Sequence, residues 1–183
     1  MTVQVISSSY SDGGTLVAAA TASCLPTYCL TTIPAGYWQI GRIWRLTCAG
    51  RVSCVITTPG TFRLGLYMAA VVVFDTQAIP LNVVAQTNVP WYMDVLLTCR
   101  SVGTGTSATL FPLGIVDSTA FLNTPTVATG PWSGVIPVPY NTAPVAGTGF
   151  DSTIPNTLDF RFTQTAATGS FTLHSFCIEQ LTP

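Results

Sequence analysis

The chain has 183 residues, of which 7% are charged, against about 25% in an ordinary soluble domain. It holds six Arg, no Lys, seven acids and one His, for a formal net charge of -1. That balance excludes a strongly basic nucleic-acid binder and an acidic disordered tail. The scarcity of acids, His and Lys also leaves little material for acid–base or metal chemistry. The bias toward Thr, Val, Gly and Pro points to an all-β domain.

Residues 1–22 read as an N-terminal arm: one short strand at Val3–Ile6, then a stretch rich in Ser, Gly and Ala. No basic residue precedes the weakly apolar Leu16–Ala20, so no secretory leader is expected, although Thr21-Ala22-Ser23-Cys24 faintly resembles a lipoprotein cleavage box. A β-sandwich domain is expected over residues 23–183. Strict two-residue alternation marks four of its strands. In Arg42–Cys48, Trp44, Leu46 and Cys48 share a face, and in Thr61–Tyr67 so do Phe62, Leu64 and Leu66. In Trp91–Arg100, Trp91, Met93, Val95, Leu97 and Cys99 oppose a mixed face, and in Leu158–Thr163 the inner set is Leu158, Phe160 and Phe162. Further strands are expected at Thr27–Ile33, Val52–Thr57, Ala70–Phe74, Ala108–Ile115 and Ser170–Glu179. Turn signals separate them at Pro34-Ala35-Gly36, Ala49-Gly50, Pro59-Gly60, Gly103-Thr104-Gly105 and Gly169. Turns about ten residues apart fit a single antiparallel sandwich, and eight or nine strands fit a jelly roll. The longest apolar run, Leu66–Phe74, ends at Asp75. It is far short of the roughly 20 residues of a membrane helix, so no membrane partner is expected.

Residues 123–156 interrupt the pattern as a long Pro/Gly-rich loop that also carries Trp132, Ile136, Val138, Tyr140 and Phe150. Loops of this length are unusual in a compact domain unless functional. Those five side chains are therefore candidate partner contacts, with folding back onto the sandwich as the alternative. Arg42, Arg45 and Arg51, around one predicted hairpin, are the other candidates, against the plainer reading of a solvated face. Tyr37, Trp38, Trp132 and Tyr140 lie in loop-like segments, where aromatic rings stack on sugars or anchor protein interfaces.

The six cysteines (Cys24, Cys29, Cys48, Cys54, Cys99, Cys177) read as buried thiols in step with apolar neighbours; Cys24 with Cys29, or Cys48 with Cys54, are the pairs near enough in sequence to bond if oxidised. No C-x-x-C pair is present, so no metal or cofactor is expected. His174 is the only possible base, in Ser170-Phe171-Thr172-Leu173-His174, with no nucleophile elbow. The acids are scattered singly, and Gly103-Thr104-Gly105 lacks the rest of a phosphate loop. No catalytic residue is assigned, and an enzyme is not expected.

Several segments, in order, resemble the jelly-roll decoration (cement) proteins of tailed-bacteriophage heads and related virion proteins. They are Thr31-Thr32-Ile33-Pro34-Ala35-Gly36 with Gly41-Arg42-Ile43-Trp44-Arg45-Leu46 and Ala49-Gly50; Thr61-Phe62-Arg63-Leu64-Gly65-Leu66-Tyr67; Trp91 through Gly103; and Asn156-Thr157-Leu158-Asp159-Phe160 with Phe171-Thr172-Leu173 and Phe176-Cys177-Ile178-Glu179. Each is only a strand pattern; the order and spacing over residues 27–183 carry the likeness. The high Cys content and the long 123–156 insertion depart from it. The resemblance implies a homotrimer, made in the host cytoplasm, that sits on the capsid exterior and binds the major capsid protein. Self-association and the capsid are then the expected partners, without nucleic acid. The alternative is a sugar- or receptor-binding jelly-roll module of a phage tail.

Overall fold

A computed structural model describes residues 3–17, 21–55, 59–121, 134–165 and 169–181. Twelve strands are described: β1 (Gln4–Ser8), β2 (Ala22–Ser23), β3 (Thr32–Ile33), β4 (Ile43–Cys54), β5 (Thr61–Met68), β6 (Val71–Asp75), β7 (Ile79–Pro80), β8 (Gln86–Ser101), β9 (Thr109–Ser118), β10 (Gly134–Val138), β11 (Asn156–Gln164) and β12 (Ser170–Gln180). A single 3-10 turn, Thr27–Cys29, is the only helical element among the described residues.

The strands form two antiparallel sheets packed as a sandwich. The larger runs β1-β12-β4-β8-β9-β10; the smaller runs β2-β11-β5-β6, with β3 beside β11 and β7 beside β5. β4 pairs with β12 in one sheet while β5 pairs with β11 in the other. This is the nested pairing of a jelly roll's outer strands. In place of its inner pairs, β8, β9 and β10 continue the larger sheet as a meander.

Alternation decides which side chains enter the core. Trp44, Leu46, Phe62, Leu64, Trp91, Met93, Val95, Leu97, Phe160 and Phe162 are all buried, as their spacing requires. Rings from both sheets meet at the centre. Phe162 of β11 stacks on Phe171 of β12 with centroids 4.3 Å apart, and Phe62 touches Trp91, Phe121, Phe162 and Phe171. A second cluster joins Trp38, Trp44 and Phe150 at one end.

Four local expectations change. Ala49-Gly50 is not a turn: β4 runs through it to Cys54 and takes in the start of the strand expected at Val52–Thr57, of which residues 56 and 57 lie outside the described residues. A Cβ on Gly50 would lie 2.0 Å from the Thr172 carbonyl oxygen and 2.9 Å from Trp91 Nε1. The glycine serves close packing of β12 and the indole, not chain reversal. Thr27–Ile33 divides into the 3-10 turn and the short β3. The described part of the N-terminal segment is no free arm. β1 pairs with β12, and Ser9, Gly13 and Leu16 continue that ladder to Phe176, Leu173 and Phe171. Finally, the described part of the 123–156 loop folds back on its own sandwich. It forms β10, then bonds to β9 and its neighbours through Gly147 N to Leu110 O (2.8 Å) and through Phe150 to Ala108.

The cysteines are unbridged; Cys24, Cys29, Cys48, Cys54 and Cys99 are buried and Cys177 is half-buried. Burial pushes the Cys24 and Cys48 thiols well above the ordinary range, so both stay neutral near pH 7.

Candidate interaction surfaces

The outward positions of the larger sheet carry an unusual share of apolar side chains. Register aligns them into one patch. Leu96 of β8 faces Leu113 of β9, Asp94 faces Ile115, and Tyr92 faces Asp117. On the next strand, Pro137 lies opposite Ile115 and Val135 opposite Asp117. Leu113 is 54% exposed and Val135 50%, with Tyr92, Leu96 and Ile115 just above 40%. A shallow depression of about 440 Å³ runs between Arg45, Asp94, Leu96, Leu113, Ile115 and Leu181. Isolated exposed apolar residues are normal, whereas a contiguous group marks an interaction surface.

One ion pair lies within this patch, beside the further carboxylate of Asp117. Arg45 of β4 donates from Nε to Asp94 Oδ1 at 3.0 Å, and a second bond joins its Nη2 to Oδ2. The Asp94 carboxylate raises the Arg45 pKa, so the guanidinium stays charged beside its partner.

The candidates named from sequence fall in several places. Arg45 and Arg51 lie on the same outer side of β4, a continuous strand and not the predicted hairpin; Arg51 is exposed. Arg42 precedes that strand, and its guanidinium stacks on the Tyr37 ring at 4.4 Å. Ile136, Val138 and Phe150 point away from any partner. The alternation of β10 turns Ile136 and Val138 inward, and Phe150 packs edge-on against Trp38, so all three belong to this chain's own core. Tyr140 is half-buried against that core, with its backbone N–H bonded to Thr76 O at 2.9 Å. Trp132 lies outside the described residues. Among the described loop aromatics no sugar platform forms: Trp38 is 4% exposed, and Tyr37 bonds through its hydroxyl to Gln180 while accepting from Trp44 Nε1.

Leu96, Leu113, Ile115 and Val135 escaped the sequence reading. The available signal was the mixed face of Trp91–Arg100, where Tyr92 and Leu96 alternate with Asp94. Only the register of β9 and β10 shows that their outward residues extend it.

His174 Nδ1 pairs with Asp12 Oδ1 at 2.8 Å on the surface, tying the N-terminal segment to β12. No group of three or more His, Cys, Asp or Glu side chains converges as a metal site among the described residues. No helix among the described residues is long and apolar enough to cross a membrane. Comparison with protein-family models, curated proteins and solved structures finds no match to this chain.

Proposed function

We propose that this protein is a structural subunit of a virion. It decorates the exterior of a phage capsid as a homotrimer and reinforces the contacts beneath it. The observation that carries this reading is the apolar outer face of the larger sheet, with its Arg45–Asp94 pair. Tyr92, Leu96, Leu113, Ile115 and Val135 stand on rigid strands, where docking orders few side chains. The near-zero net charge and a mean hydropathy of +0.50 favour association over repulsion. The resemblance of the strand motifs to capsid decoration proteins supplies the kind of partner. Reinforcement requires no bond chemistry: a subunit that binds only the assembled lattice stabilises it by mass action.

Mass measurement in solution should give about three times 19.3 kDa, the closed assembly of three copies. Leu113→Lys combined with Ile115→Lys should lower occupancy on purified shells lacking the protein, with the unfolding free energy held within about 0.5 kcal/mol of the parent. Undiminished occupancy by that variant would remove the larger sheet's outer face from the contact.

A further inference from the structure

The opposite side of the sandwich carries a different surface. On the outer face of the smaller sheet, Gly65 of β5 sits between Arg161 of β11 and Asp75 of β6 in register. Its missing side chain admits the Tyr67 ring edge, which would lie 3.0 Å from a Cβ there, and beside it a hollow of about 130 Å³ is walled by Arg63, Tyr67, Asp75, Arg161 and Thr163. Beyond Arg63, Val72 and Asp75 a second hollow opens. It measures about 380 Å³ and lies between β6 and residues 139–148, within the range of small-ligand pockets. The two share Arg63, Val72 and Asp75 in their linings and so adjoin across the sheet as a two-lobed channel.

The lining is built and held. Arg63 grips Asp75 through Nε, at 2.9 Å to Oδ1, and through Nη2. Asp75 Oδ1 also accepts from Gln77 N at 2.8 Å. Arg161 donates to Asp159 at 2.7 Å, Ser23 Oγ donates to the same carboxylate at 2.6 Å, and the Arg161 guanidinium lies 4.3 Å from the Tyr67 ring centre. The wall formed by residues 139–148 is fastened at both ends, by Tyr140 N to Thr76 O and Gly147 N to Leu110 O. Gly147 packs so close that a Cβ there would lie 2.0 Å from Val73 O.

This chemistry selects a ligand class. Two arginines are each neutralised by an aspartate, so a polyanion gains little from them. A guanidinium has five N–H donors and a carboxylate about four acceptor sites, so each ion pair retains both kinds of group for a ligand. Adjacent hydroxyls, which donate and accept together, match such a pair; Thr142, Thr148 and Thr163 line the channel with hydroxyls of their own. We propose that the channel from Gly65 to residues 139–148 binds a neutral glycan segment, with hydroxyls bridging the Arg63–Asp75 pair. This site is separate from the larger sheet's outer face and does not depend on the shell-protein reading.

The test is calorimetric titration of the full chain with neutral hexasaccharides of the α-glucan, β-glucan, mannan and chitin types, and with a heparin hexasaccharide as the anionic probe. At least one neutral probe should bind with a Kd of about 1 mM or tighter. Gly65→Thr, which fills the floor with a strand-compatible side chain, should weaken that binding at least about tenfold. Asp75→Asn keeps one acceptor oxygen for Gln77 N–H but removes the charge and turns the other oxygen into a donor facing Arg63, which breaks the two-point pair; it should do the same. The Leu113→Lys, Ile115→Lys variant should bind the probe like the parent, which separates failure here from failure of the shell reading. The proposal is overturned if no neutral probe binds at about 10 mM, if both channel variants bind as the parent does, or if heparin displaces the neutral probe from the channel.

Discussion

Removing the Phe62 ring tests the core directly. Phe62 is fully buried on β5, and its ring centroid lies 4.7 Å from Phe121 and 5.6–5.8 Å from Phe162, Phe171 and Trp91. Those neighbours come from both sheets, so none can collapse into the space without moving a strand. Phe→Ala in a core costs about 3–5 kcal/mol, and lost ring contacts of about 0.5–1.5 kcal/mol each place this site near the upper end. With a urea m-value of about 2 kcal/mol/M, a loss of 4 kcal/mol moves the unfolding midpoint down by about 2 M. The thermal midpoint should fall by about 8–16 °C. The control is Phe111→Ala on the outer face of β9, half-buried with the Arg100 guanidinium 4.9 Å from its ring centre; its cost should stay near 1 kcal/mol. Tryptophan fluorescence during urea unfolding reads both. Equal losses for the two variants, or a Phe62→Ala loss below about 1.5 kcal/mol, would refute the assignment of inner and outer faces.

Two further outcomes follow from the packing. Deleting residues 3–17 strips β1 and its continuation from β12; it should cost at least about 2 kcal/mol and produce light scattering from the bared strand edge, whereas a stable, monodisperse variant would make the segment a passive tail. Burial raises the Cys24 and Cys48 thiols above their unfolded value. Their contribution is therefore complete below the unfolded pKa of about 8.5 and fades as pH rises toward the folded values. The unfolding free energy from urea titration should fall between pH 8.5 and 10 by up to about 1.4 kcal/mol per pH unit for each thiol; a profile that is flat, or that keeps its slope in Cys48→Ala, contradicts this.

The sandwich was legible because alternation is a local property that survives tertiary context. Trp44, Leu46 and their counterparts needed no knowledge of neighbouring strands to be placed inside. Gly50 misled because the same residue serves a turn and a close approach of two strands, and only the position of Thr172 and Trp91 separates the two. Ile136 and Val138 lay hidden in a Pro/Gly-rich context: β10 has five residues, too few to reveal alternation against that background. The apolar outer face was illegible for a further reason. Strand period tells which residues share a side, but the side that meets solvent is decided by how sheets pair, and Leu113 and Ile115 gain significance only beside Leu96 and Asp94. The channel at Gly65 depends likewise on β6 and residues 139–148 arriving beside β5.

The position of β12 has a bearing on how this chain is made. It lies between β1 and β4, strands that precede it by well over a hundred residues, and it leaves the ribosome after every other described strand. Until it emerges, β4 has one neighbour in the larger sheet, β1 has none, and the ring of Phe171 is missing from its stack with Phe162. β4, β8, β9 and β10 can pair before β12 emerges, but the larger sheet cannot be completed until then, and pairings so distant in sequence are slow to form. The half-made chain exposes apolar strands and open edges to other nascent copies. Yield should therefore depend on temperature and on chaperone supply more steeply than the stability of the finished sandwich would suggest.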